Sequence, residues 1–113
     1  MRVQLIVATL LLTMLACAAD HSRMESEITR QNNKVSTAQK AFEVESARLV
    51  QLQDSLQINI RKNVDLGMKT ELAKSTEESR LDMQRTVVVA AEKNLKLQEE
   101  YLALLRRQFQ NKQ

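Results

Sequence analysis

LQINIRKNVDLGMKTELAKSTEESRL, residues 56–81, is where an otherwise regular pattern breaks. On both sides of it apolar residues recur every seven positions. Ile28, Val35, Phe42, Leu49 and Leu56 make one ladder, and Leu81, Val88, Leu95, Leu102 and Phe109 make another. A seven-residue repeat held over several heptads keeps one seam of a helix facing a partner and selects left-handed supercoiling. With the ladder residues as a positions, the first set of d positions is Met24, Gln31, Ala38, Glu45, Leu52 and Asn59. The second is Gln84, Ala91, Gln98 and Leu105. Continuing the first ladder lands on Asn63, Thr70 and Glu77, so a shift of four residues is needed to reach Leu81.

Such a shift is either a stutter within one long helix or a chain reversal. Gly67, the only glycine, lies inside the interval and is the preferred residue just past a helix end. Folding back at Gly67 and Met68 pairs the rungs Ile28 with Phe109, Val35 with Leu102, Phe42 with Leu95, Leu49 with Val88 and Leu56 with Leu81. It buries both stripes within one chain, whereas a continuous rod would need a second chain. The expected fold is therefore all-α, with an antiparallel helical hairpin near Gly67 favoured over a continuous coiled-coil rod. Helix 1 is expected over residues 23–66, a turn or stutter over 67–75, helix 2 over 76–110 and a tail over 111–113. Ser22 with Glu25 and Ser75 with Glu78 have capping-box spacing for the two helix starts.

Composition supports helix and excludes a large globular core. From Asp20 onward only 34 of 94 residues are apolar, against 15 of the first 19, enough for stripes and little more. Proline is absent, and Gln, Glu, Lys, Leu and Ala, all strong helix formers, dominate. Charge pairs of helical spacing, Glu45 with Arg48, Asp65 with Lys69, Asp82 with Arg85 and Glu92 with Lys96, are worth a few tenths of a kcal/mol each. The locally β-branched run Val87 to Ala91 would suit a strand of five residues, but no partner strand is expected elsewhere and helix is expected there. From Asp20 onward the basic excess is small and gathered in residues 93–113, as suits a helix C-terminus. With no dense basic stripe and three scattered aromatics, nucleic acid is not an expected partner.

The first nineteen residues read as an export signal. Arg2 supplies a basic start and residues 5–15 an uncharged apolar run. Thr13, Met14, Leu15 and Ala16 then lead into Cys17, the only cysteine. This stretch resembles the lipobox of bacterial lipoproteins, although Met14 stands where leucine is commoner. The resemblance implies a signal peptide over residues 1–16, a diacylglycerol thioether on Cys17 and acylation, typically with palmitate, of its freed amine. Residues 17–22 would be a polar tether. Ala18, where an Asp would retain a proteobacterial lipoprotein at the inner membrane, is similar to the outer-membrane pattern. In plan, lipidated cysteine, tether and heptad helix, the chain resembles the murein lipoprotein, but Lys112 is followed by Gln113, so that family's terminal lysine is not matched. Two other readings stay open: Ala16, Cys17 and Ala18 also suit ordinary secretory cleavage, and residues 3–19 sit at the lower limit of a membrane span.

No catalytic constellation is present, and no metal site, cofactor or small-molecule substrate is expected. Glu77 with Glu78 and Glu99 with Glu100 point around a helix rather than converging. The lone histidine, His21, reads as a solvated linker residue. The expected function is that of a cell-envelope lipoprotein, facing the periplasm, whose helical body is a spacer or protein-binding module. The alternative is a soluble periplasmic or secreted helical chaperone or adaptor. Val87, Val89, Leu97, Tyr101 and Leu104 lie beside or away from the seam, and an unburied apolar group of this kind marks a contact site for a helical partner or for self-association.

Overall fold

With no proline and one glycine to interrupt them, two helices account for almost the whole chain. A computed structural model describes the backbone of residues 2–112 and the side chains of residues 20–111. Helix α1 spans Arg2–Asp65 and α2 spans Thr70–Lys112, and they form an antiparallel hairpin. The run at Val87 is helical, as the surrounding spacing requires.

The reversal between the helices is tight because α1 ends in a Schellman motif. The Gly67 amide donates to the Val64 carbonyl at 3.0 Å and the Met68 amide to the Asn63 carbonyl at 3.0 Å, satisfying carbonyls that have no further helical partner. This geometry needs a left-handed residue after the helix end, and Gly67 has φ +98°. Helix α2 starts at once: the Ala73 amide bonds the Lys69 carbonyl at 2.9 Å, which makes Lys69 the N-cap residue. Glu71 in the first turn complements the positive helix end.

The hairpin divides into two compact units. The unit of Ser36–Leu97 contains the turn, and its buried apolar residues are Ala38, Ala73, Leu81 and Leu95. Phe42, Leu49 and Leu56 are half-buried along the same seam of α1. Ala73 is fully buried, the small side chain letting α2 approach α1 beside the turn. The other unit joins the residues up to Val35 to those from Gln98 on; there Leu102 and Leu105 are buried, and Ile28, Val35 and Phe109 half-buried. One seam between two helices leaves most of each helix in contact with water, so few residues are fully buried.

Several boundaries differ from the sequence expectation. Helix α2 begins at Thr70 rather than 76, so Ser75 lies within it and does not cap it. Glu71, Leu72, Ala73 and Lys74 are good helix formers, and burial of Ala73 draws this extra turn into the seam. Ser22 likewise lies inside α1, and residues 17–22 continue that helix rather than forming a tether, there being nothing to break it. At the other end α2 continues to Lys112 rather than stopping at 110. Asp65 and Lys69 fall on opposite sides of the helix end, so they are not a pair on one helix.

The register also departs from the a-opposite-a pairing centred on 68.5. Gln31 bonds Gln98, a pair whose sequence midpoint is 64.5, while Asn32 accepts from Arg106, midpoint 69. Gly67 lies between these values, so a rungs of one helix fit between rungs of the other, as antiparallel heptads interleave. His21 is not a linker residue: it occupies an a position one heptad before Ile28, with its ring centroid 4.6 Å from that of Phe109.

Candidate functional site

Polar residues occupy every second d position of α1, Gln31, Glu45 and Asn59, and each meets a polar residue of α2. In the chain-end unit, Gln31 Nε2 donates to both Gln98 Oε1, at 2.8 Å, and the Gln98 backbone oxygen, at 2.9 Å. In the turn unit the same device runs from the other helix. Gln84 Nε2 donates to Glu45 Oε2 at 2.7 Å and to the Glu45 backbone oxygen at 2.8 Å. Glu45 also accepts from Arg48 at 3.2 Å. Nearer the turn, Glu77 is 1% exposed, its carboxylate held by Arg80 and by Asn59 Nδ2, both at 3.3 Å. Among the described residues no buried side-chain polar atom lacks a hydrogen-bond partner. Such satisfied polar rungs cost stability relative to leucine but fix which residues face each other.

The five apolar residues singled out from the sequence all face solvent. Val87, Val89, Leu97, Tyr101 and Leu104 are between 43% and 63% exposed. With Leu81 as a, Leu97 and Leu104 are c positions and Val87 and Tyr101 g positions, which lie side by side on a helix. Val89 is a b position, about 120° round from that stripe. Four of the five therefore share one face and Val89 does not. The same c and g stripe contains Met83, 70% exposed, and Ala90, also exposed; both were missed by reading outward from the seam. The available signal was a further ladder of seven, Met83, Ala90, Leu97 and Leu104.

In the chain-end unit Tyr101 and Leu105 share a groove of about 100 Å³ with Glu27, Arg30, Gln31 and Lys34 of α1. In the turn unit a more open groove of about 380 Å³ is lined by Leu56, Glu78, Leu81, Asp82 and Arg85. Charged walls and wide openings give neither the enclosed apolar lining of a small-molecule site. Among the described residues no group of three His, Cys, Asp or Glu side chains converges, and no helix is long and apolar enough to cross a membrane. The side chain of Cys17 lies outside the described residues. No protein-family model, curated protein or solved structure matches the chain.

Proposed function

We propose that this chain is a bacterial cell-envelope lipoprotein, held by lipid on Cys17 and facing the periplasm, whose helical hairpin is a spacer and protein-binding module without catalytic activity. The observation that carries this reading is the order of Arg2, an uncharged apolar run, and Cys17 directly after Thr13, Met14, Leu15 and Ala16. The thiol is the one nucleophile that the lipid transfer needs, and an exported chain with one cysteine has no internal disulfide to make with it. Two or more acyl chains make attachment durable, each buried CH₂ contributing about 0.8 kcal/mol. Ala18 directs the anchored chain to the outer membrane. The exposed c and g stripe of α2 supports the binding role.

Mass spectrometry of the mature N-terminus tests it. The expected product begins at Cys17 and carries the added mass of a diacylglyceryl group and an amide-linked acyl chain, and it partitions into the detergent phase. Cys17→Ser is expected to leave an uncleaved precursor. A mature chain starting at Ala19 or Asp20 and recovered from the aqueous phase overturns the reading and favours a soluble adaptor.

A further inference from the structure

Helix α2 has two seams. The a and d seam meets α1, and the stripe of Met83, Val87, Ala90, Leu97, Tyr101 and Leu104, with the polar Asn94 at the intervening g position, follows the same alternation of four and three residues about 110° round the helix. A second exposed heptad seam has the form of a helix-pairing surface, more ordered than scattered surface apolar residues. We infer that it pairs with the same seam of a second copy of this chain, the two α2 helices lying antiparallel. This deepens the binding-module reading by naming the partner; it does not depend on lipid at Cys17, and with both copies lipidated the antiparallel pair, whose N-terminal ends point apart, lies along the membrane and excludes the upright spacer role.

Charge complementarity selects this occupant and this direction. An antiparallel pairing of the stripe interleaves g with c: Val87 meets Leu104 of the second copy, Ala90 meets Tyr101, and Leu97 meets Asn94. The f positions then flank the new core. Lys93 comes opposite Glu100 of the second copy, and the two-fold axis makes the same pair again from Glu100 to Lys93. Both residues are exposed, and among the described residues neither has an ion-pair partner, whereas Asp82 with Arg85 and Glu92 with Lys96 are paired along α2. Parallel pairing would set Lys93 beside Gln98 of the copy and leave both charges unmatched. Of the b and e positions on the far side, Asp82, Arg85, Glu92, Lys96, Glu99 and Arg106 are charged and suit water, Val89 and Ala103 being the apolar exceptions.

Co-purification of two differently tagged full-length copies, co-expressed and extracted in mild detergent, tests the pairing. Wild-type copies are expected to recover each other. Lys93→Glu in both copies sets Glu against Glu twice and is expected to lower recovery about tenfold, as is Glu100→Lys in both. One copy with Lys93→Glu and the other with Glu100→Lys restores both pairs and is expected to return to within about twofold of wild type. Leu97→Glu in both copies is expected to abolish recovery. Circular dichroism should show unchanged helicity in every variant, these side chains being exposed. The inference is overturned by failure of wild-type copies to recover each other, by single-sign variants that behave as wild type, by a mixed pair no better than the single-sign variants, or by recovery of a different helical protein in place of the second copy. Lipidation, measured separately by mass, stands or falls independently of these outcomes.

Discussion

Gly67 is the one position where the backbone itself demands a residue type. A β-carbon there would meet nothing within 4 Å, so the cost of Gly67→Ala is that of the left-handed conformation alone. It should be about 1 kcal/mol. Urea denaturation is expected to show a lower midpoint with an unchanged slope; an unchanged midpoint would mean that the turn is not under this constraint. Gln84 is the second test at this scale. Its amide satisfies both a carboxylate oxygen and a backbone oxygen of Glu45. Gln84→Ala should destabilise by about 1–3 kcal/mol, more than truncation of an exposed glutamine such as Gln53, because acceptors within the seam lose their donor.

Among the elements, the seam of each helix was legible in the sequence because its period is a property of the helix, needing no knowledge of the partner. Leu81, Leu95, Leu102, Leu105 and Ala38 are buried where the ladders put them. Less legible was the start of α2, since Ser75 and Glu78 have capping chemistry but the chain reverses earlier, at Gly67. A cap motif reports only local preference, and contacts such as that of Ala73 override it. The polar d residues Gln31, Glu45 and Asn59 make cross-helix bonds, which only the facing helix could reveal. Replacing both members of one such rung, Gln31→Leu with Gln98→Leu, removes donor and acceptor together and should raise the thermal midpoint. It should also loosen the register. Disulfide formation between cysteines placed at Phe42 and Leu95, with Cys17 replaced by Ser, would report this as a changed rate of intrachain crosslinking, and a rate equal to that of the parent would count against a registering role.

For the whole molecule the choice between hairpin and rod turned on twenty-odd residues between the ladders. Composition could not make it, for both folds need the same stripes. The structure forms the hairpin, so with Cys17 replaced by Ser the same cysteine pair at Phe42 and Leu95 should crosslink within one chain at any dilution. Products found only between chains, and only at high concentration, would refute the intrachain seam. The candidate surface was legible in part: the sequence marked four of the six stripe residues, and Val89, neighbouring in sequence, faces elsewhere because successive residues turn about 100°. Nothing about Cys17 depends on the fold, and its test is chemical.

The linker between the helices is only Leu66, Gly67, Met68 and Lys69, and its peptide bonds tie the two halves of the seam into one chain. What they supply is effective concentration, the local excess of one helix around the other. Limited trypsin cleavage after the exposed Lys69 should therefore leave both fragments together at high protein concentration and let them separate on dilution, converting a one-molecule equilibrium into a two-molecule one. Proteolytic nicking at this point would thus make the release of α2 from α1 sensitive to dilution.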